Sequence, residues 1–436
     1  MKEAISEQYI NNLLTQMDIS DISKATIRQC VAVADNLEKH IQEPFIHLEI
    51  GVPGFEPCSV GREAQKEAID KGVSSIYPPI GGIPLLKENA SKFIKAFIDI
   101  DIEPQGIIPT VGSMQGTYNL FLECSQLDPK KDTILFINPG FPANFTQVNV
   151  LGIKNESFDI YNYRAEKLKP KLEEYLSKGN IVAILYSNPN NPAWICLTEQ
   201  ELKDIGDCAN KYDTIILEDL AYMCMDFRKE LSKPYQPPYQ STVARYTDNY
   251  ILLLSASKIF SYAGERIAVI AFSNKMYHRE YPALRERYGL GKMGDNYILT
   301  YLYCASSGVS HSAQYALAKM YGDAAEGKLD FVATLKEYAD RANKAKKIFE
   351  ENGFNIVYNK DLDQILSDGF FFTIGYRDMG CKELLTNLLR CGITAITLNT
   401  TGSLQNGIRV CVSRIHTQEE FKELDNRLKI FRTITK

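Results

Sequence analysis

Five short apolar runs in the middle of the chain constrain its fold more than any other feature. They are TILFINP (133–139), NIVAILYSNP (180–189), DTIILEDLAY (213–222), NYILLLSASK (249–258) and RIAVIAFS (266–273). Each is rich in β-branched residues and apolar at successive positions, the pattern of a strand buried on both faces. Polar or amphipathic stretches separate the first four, among them LTEQELKDIGDCANKY, where Leu197 and Thr198 precede an acidic, helix-forming turn. Strands that alternate with helices predict an α/β fold with a mostly parallel sheet sandwiched by helices. A short loop joins the last two runs, which leaves one of them free to run antiparallel.

After about Gly308 the pattern changes. ALAKMYGDAAEGKLDFVATLKEYADRANKAKKIFEENG reads as one long helix, and FFFTIGY and GIRVCVSR read as short strands. The shift predicts a smaller α+β domain built from residues 1–55, largely helical by pattern, plus 321–436, and a large α/β domain over 56–320. DFRKELSKPYQPPYQSTVARYTD, polar and proline-bearing, reads as an excursion rather than a linker.

Several function classes are excluded early. The chain has 54 acids against 49 Lys plus Arg and no basic stripe, so neither nucleic acid nor an anionic membrane surface is an expected partner. Its N-terminus lacks the apolar core of a secretory signal, and no stretch reaches about 18 uninterrupted apolar residues. The ten cysteines are scattered without a CxxC pair and read as reduced thiols of a cytoplasmic protein. The five histidines show no ligand spacing, so no metal site is expected. Gly289, Gly291 and Gly294 in YGLGKMGD match a dinucleotide fingerprint, but that motif follows a strand and opens a helix. PALRERY, charged and headed by proline, precedes them here. A glycine-rich loop is the reading, and nicotinamide chemistry is not supported.

Open α/β sheets bind ligands beyond the C-terminal ends of their strands. There the sequence places Phe141 after the first run, Asn191 after the second, Asp219 and Tyr222 at the end of the third, and Ser255, Ser257 and Lys258 at the end of the fourth, while Arg266 opens the fifth. An aromatic plate, an amide, a carboxylate, a phenol and an amine together suit pyridoxal 5'-phosphate. Its aldehyde needs an amine whose pKa desolvation lowers, and its pyridine nitrogen needs a carboxylate. Its ring oxygen takes donors such as Asn and Tyr; its phosphate takes backbone N–H groups and a cation. IIPTVGSMQGTYNLFLECSQL supplies the phosphate seat, because Gly112, Ser113 and Met114 lie between an apolar run and a helix-like stretch. Arg266 and the serines complete that cradle. Alone, each residue has a plainer reading: Lys258 as a solvated strand-end lysine, Asp219 as a helix cap, Phe141 as core. Their joint order along the sheet selects the cofactor.

SxSK followed by GER, together with Asp219-Leu-Ala-Tyr222, resembles the fold-type I pyridoxal-phosphate enzymes of the class I/II aminotransferase family, aspartate aminotransferases above all. The resemblance runs from IGVPGF near position 50 to GIRVCVSR near 410. It implies an aminotransferase that moves an amino group between an L-amino acid and a 2-oxo acid through a Lys258 Schiff base. It also implies substrate contacts from Gly51 and Asn191, and Arg409 as the clamp of the substrate α-carboxylate. A homodimer with shared active sites is implied as well, with Tyr77 of YPPIGGIPLLKENASKF reaching the neighbouring subunit's phosphate. Two positions depart from the family pattern: Asn191-Pro192 is followed by Ala193-Trp194 where Thr-Gly is usual, and Phe141 stands where many relatives carry Tyr or Trp. Two other functions fit the same residues, a lyase or decarboxylase of amino acids and a non-catalytic cofactor-binding regulator. The regulator would need an added domain of about 60 residues, more than precedes the first motif. Arg285 and Arg287 read either as surface ion pairs or as partners of an acidic substrate side chain.

Overall fold

In a computed structural model that describes residue 1 and residues 3–436, two helices, α1 (Glu7–Gln16) and α2 (Ile27–Ile41), open the chain. The main sheet follows, with strands β1 (Ile107–Val111), β2 (Thr133–Asn138), β3 (Lys154–Asp159), β4 (Ile181–Ser187), β5 (Ile215–Asp219), β6 (Tyr250–Ser255) and β7 (Ile267–Phe272). Their spatial order is β1-β7-β6-β5-β4-β2-β3. β7 is antiparallel to both its neighbours, and every other pairing is parallel. The expected, mostly parallel α/β sheet is thus present. Residues 256–266, which join β6 to β7, are too few for the helical crossover that a parallel return requires.

All of β2, β6 and β7 is buried, as their continuous apolar runs require. β3, Lys-Asn-Glu-Ser-Phe-Asp, carries no such signal. It is an edge strand, charged and mostly exposed over its first half, and lies within one of the polar or amphipathic stretches that separate the apolar runs. Two helices of the covering layers matter below: α3 (Gly112–Cys124), directly after β1, and α4 (Glu199–Tyr212), after β4. α4 begins with a capping box in which Thr198 and Glu201 satisfy each other's backbone N–H groups.

Register places the functional ends together. Ser187 pairs with Asp219 and Asp219 with Leu253, so β4, β5 and β6 finish on one rim. β7 enters the sheet where β6 and β1 leave it, Ser255 lying opposite Ala268 and Val111 opposite Ile267. That reversal sets Arg266 on the same rim as Gly112 and Ser255.

The C-terminal third differs from the single long helix of the sequence reading. It has α5 (His311–Ala325), a short helix Phe331–Leu335, and α6 (Glu337–Glu351). The break falls at Gly327, φ +72°, and Asp330 caps the next turn by accepting from the Ala333 N–H at 3.0 Å. Beyond α6 a four-stranded antiparallel sheet is built from β8 (Asn355–Ile356), β9 (Phe371–Gly375), β10 (Ile396–Thr397) and β11 (Ile408–Cys411), in the order β10-β11-β9-β8. A helix Gln418–Ile434 closes the chain. Ile10 of α1 and Val33 and Leu37 of α2 share a hydrophobic core with Phe349, Phe372, Val410 and Leu428, while the main sheet has a core of its own. YGLGKMGD follows a helix, Pro282–Tyr288, and no strand.

Two buried carboxylates pin the smaller sheet's loops to the main sheet. Asp361 accepts from Arg164 Nη1 at 2.8 Å and from the Cys196 N–H at 3.0 Å, and pairs with Arg228 at 2.9 Å. Asp159, at the end of β3, accepts from the Tyr358 hydroxyl at 2.8 Å and the Leu404 N–H at 2.9 Å.

Candidate active site

The anion seat is the start of α3. Gly112 adopts φ +66°, and a Cβ there would run into the Arg266 guanidinium, so glycine meets a steric as well as a conformational need. No side chain caps α3, which leaves the leading N–H groups, those of Ser113 and Met114 among them, free for an anion. Arg266 Nη1 donates to the Ala263 carbonyl at 2.9 Å, and the residue makes no ion pair among the described residues. Ser255 Oγ accepts from the Ser257 N–H at 3.2 Å, so its own hydrogen remains available to donate.

Lys258 lies in the short helix Ala256–Ile259 that follows β6. Its Nζ donates to the Gly51 carbonyl and stands 5.3 Å from the centre of the Phe370 ring. Burial lowers its pKa to about 8, and the Arg409 and Arg266 charges push the same way. Asp219 ends β5; its Oδ1 accepts from the Ala221 N–H at 2.9 Å, and burial raises its pKa to about 6. A cationic ring nitrogen facing that carboxylate would reverse the shift. Burial also holds the proton firmly on the Tyr222 hydroxyl, which makes it a donor. Phe141 is half-buried three residues beyond β2 and enters no aromatic pair among the described residues.

Arg409 projects from β11 and is buried. Its Nη2 donates to the Glu49 carbonyl, its Nη1 donates to Asn191 Oδ1 at 3.3 Å, and its guanidinium lies 4.4 Å from the centre of the Phe371 ring. Nε has no acceptor, and no carboxylate pairs with the group among the described residues. A buried cation in this state is completed by an incoming anion. Gly51 sits beside it, where a Cβ would come within 2.9 Å of the Phe371 ring. The structure therefore brings Gly51, Asn191, Lys258 and Arg409 into one chain of contacts, with Gly112 and Arg266 together on the same rim. Tyr77 stands apart, 88% exposed. Arg285 pairs with Glu280 at 2.8 Å on the surface, and Arg287 lies along Tyr288.

Phe370 and Phe371 were invisible as site residues in the sequence, where FFFTIGY reads only as a strand. They matter because β9 pairs with β11, with Thr373 opposite Arg409 and Phe371 opposite Cys411. No local pattern announces that pairing.

The donor set suits a phosphorylated ring that carries a cationic nitrogen, an acceptor oxygen and an aldehyde. An uncapped helix with Arg266 could take the phosphate, Asp219 the nitrogen, Tyr222 the oxygen and Lys258 the aldehyde. Arg409 remains free for a substrate carboxylate. Pyridoxal phosphate fits this site.

The family description "Aminotransferase class I and II" matches residues 43–428. The chain is 31% identical to the aspartate aminotransferase of Pyrococcus horikoshii over 250 residues, 57% of this chain and 60% of that protein. It is 29% identical to the probable aspartate aminotransferase of Methanocaldococcus jannaschii over 234 residues, 53% of this chain and 58% of that protein. In both matches the chain spans less than two thirds of the relative's length. Its fold resembles that of an alanine aminotransferase from Pyrococcus furiosus with a TM-score of 0.75 at 20% identity, over 95% of this chain and 98% of that one. The chain belongs to the aminotransferase class I and II family, whose members use pyridoxal phosphate.

Proposed function

We propose that the protein is a pyridoxal-phosphate-dependent aminotransferase that moves an amino group between an L-amino acid and a 2-oxo acid. The observation that carries this reading is two cations in one chain of contacts, Lys258 with a lowered pKa and buried Arg409 with no ion-pair partner among the described residues. The first is suited to nucleophilic and proton-transfer chemistry, the second to holding an α-carboxylate. Pyridoxal phosphate bound here supplies an aldehyde for the amine and an electron sink for charge at the substrate α-carbon.

Each residue has a definite task in this proposal. Gly112, Ser113 and Met114 offer the helix-start N–H groups to the phosphate, and Ser255, Ser257 and Arg266 add hydroxyls and charge. Asp219 holds a proton at the ring nitrogen. Asn191 and Tyr222 donate at the ring oxygen, and Phe141 covers one face of the ring. Arg409 orients the substrate through its carboxylate, Asn191 steadies Arg409, and Gly51 leaves room beside the α-carbon. The Lys258 amine moves the proton at that carbon.

The assembly we propose is a homodimer with active sites at the interface. Tyr77 and Ile76 are 88% and 61% exposed, and the Ile76 carbonyl lies 3.1 Å from His311 Nδ1. Gln115 of α3 reaches Ser306 in the neighbouring segment at 2.9 Å, so this apolar surface adjoins the anion seat. For the domains we propose a large one over 56–320 and a smaller one from 1–55 plus 321–436; one hydrophobic core lies wholly within the smaller set, while the main-sheet core also takes in Tyr321, Phe331 and Tyr338. Ten unpaired cysteines are consistent with a cytoplasmic location, and no helix among the described residues is long and apolar enough to cross a membrane.

A panel of amino donors with 2-oxoglutarate as acceptor tests the function. The expected result is formation of the cognate oxo acid, with turnover abolished in Lys258→Ala. Release of ammonia or carbon dioxide at full rate without any acceptor would instead establish a lyase or decarboxylase.

A further inference from the structure

Trp194 carries two penalties that an ordinary core residue avoids. Its backbone is left-handed, φ +58°, a region where side chains other than glycine are strained. Its indole N–H is buried without an acceptor. It is the only tryptophan in the chain and is fully buried. Strained conformations of this kind collect at functional sites and survive only where the surroundings impose them.

The surroundings here do so. The backbone N–H of Trp194 donates to the Asn190 carbonyl at 2.9 Å. The Asn190 side chain donates to the Pro139 carbonyl at 2.8 Å and accepts from the Ala193 N–H at 3.0 Å. Gly369 clears the space for the indole, since a Cβ at that position would collide with it. The indole meets the Tyr222 ring edge-on at 5.3 Å between centroids and the Phe371 ring at 6.3 Å. Both rings lead to the active site. Tyr222 follows Asp219 on the same loop, and the face of Phe371 bears the Arg409 guanidinium at 4.4 Å.

We propose that Trp194 is a positioning residue, a wedge that sets Tyr222 against the cofactor ring and Phe371 behind Arg409. Through Tyr222 it tunes the protonation of the bound cofactor; through Phe371 it sets the grip on the substrate carboxylate. The inference rests on the reading of this rim as a pyridoxal-phosphate site.

The test uses the full chain, with Trp194→Phe and Trp194→Gly as variants. Phenylalanine keeps an aromatic ring of smaller reach, and glycine relieves the left-handed backbone, so failure of one to fold leaves the other. Uptake of pyridoxal phosphate by the unsubstituted protein is followed first, through quenching of its single tryptophan. No quenching and no cofactor absorbance would remove the site reading and this inference with it. With uptake established, the bound cofactor is titrated by absorbance against pH. A donor at the ring oxygen favours the deprotonated form, so a loosened Tyr222 raises the midpoint. The expected shift in both variants is about half a pH unit or more, at full cofactor occupancy. KM for the amino donor is expected to rise about tenfold, with a smaller change in kcat. An unchanged midpoint and unchanged KM, accompanied only by a lower melting temperature, would make Trp194 a core filler and overturn the proposal.

Discussion

Lys258 is a nucleophile only when neutral, and its surroundings decide where that happens. Burial and two neighbouring guanidinium groups favour the neutral amine, bringing the pKa to about 8. The sign follows directly: below pH 8 the reactive fraction falls about tenfold per unit, and above it the fraction levels off. Stopped-flow absorbance of cofactor uptake by the unloaded protein is expected to show that profile. A rate that keeps climbing towards the ordinary lysine range near 10 would mean that the amine is solvated. Asp219 ends β5 and Lys258 follows the end of β6 by three residues, positions that the apolar runs before them marked in the sequence. Arg409 was reached through resemblance alone, since nothing in GIRVCVSR marks an arginine as buried and without an ion-pair partner.

The element proposed to seat the phosphate is the start of α3, and its requirement for glycine is twofold. Gly112→Ala places a Cβ against Arg266 and forces alanine into a left-handed backbone that costs about 1–2 kcal/mol. Affinity for pyridoxal phosphate is expected to drop by at least about tenfold, and the melting temperature of the unloaded protein by about 1–3 °C from the backbone cost alone. Equilibrium dialysis measures the first, and equal affinity for both proteins would place the phosphate elsewhere. Elements differ in how plainly they were written. β6 and β7 are unbroken apolar runs and read without ambiguity. β3 did not, because an edge strand is stabilised by its partner and needs few apolar residues of its own. The break between α5 and α6 was also missed, since helix formers flank Gly327 on both sides and a lone glycine is tolerated in a helical pattern.

At the scale of the molecule, the smaller sheet is held to the larger by buried charge. Asp361 joins Arg164, Arg228 and the Cys196 N–H, while both arginines keep a second carboxylate, Glu201 and Asp226. Asp361→Ala therefore leaves each cation with one partner. The expected loss is about 2–3 kcal/mol, short of that for a fully orphaned buried charge. Urea denaturation measures it. The same substitution is expected to raise KM for the amino donor, because Arg409 comes from the smaller sheet and Lys258 from the larger. A change of less than about 0.5 kcal/mol would show that Asp361 is dispensable to the junction. The main sheet, its handful of strand-end groups and the cofactor they suit were determined by the sequence itself, because the length and period of a run fix which residue ends a strand. Which of those groups touch was decided only in three dimensions. The reversal of β7 puts Arg266 beside Gly112, and the pairing of β9 with β11 lays Phe371 under Arg409. Contacts between segments so distant along the chain depend on which strands pair and in what register, and no local stretch of residues encodes that choice.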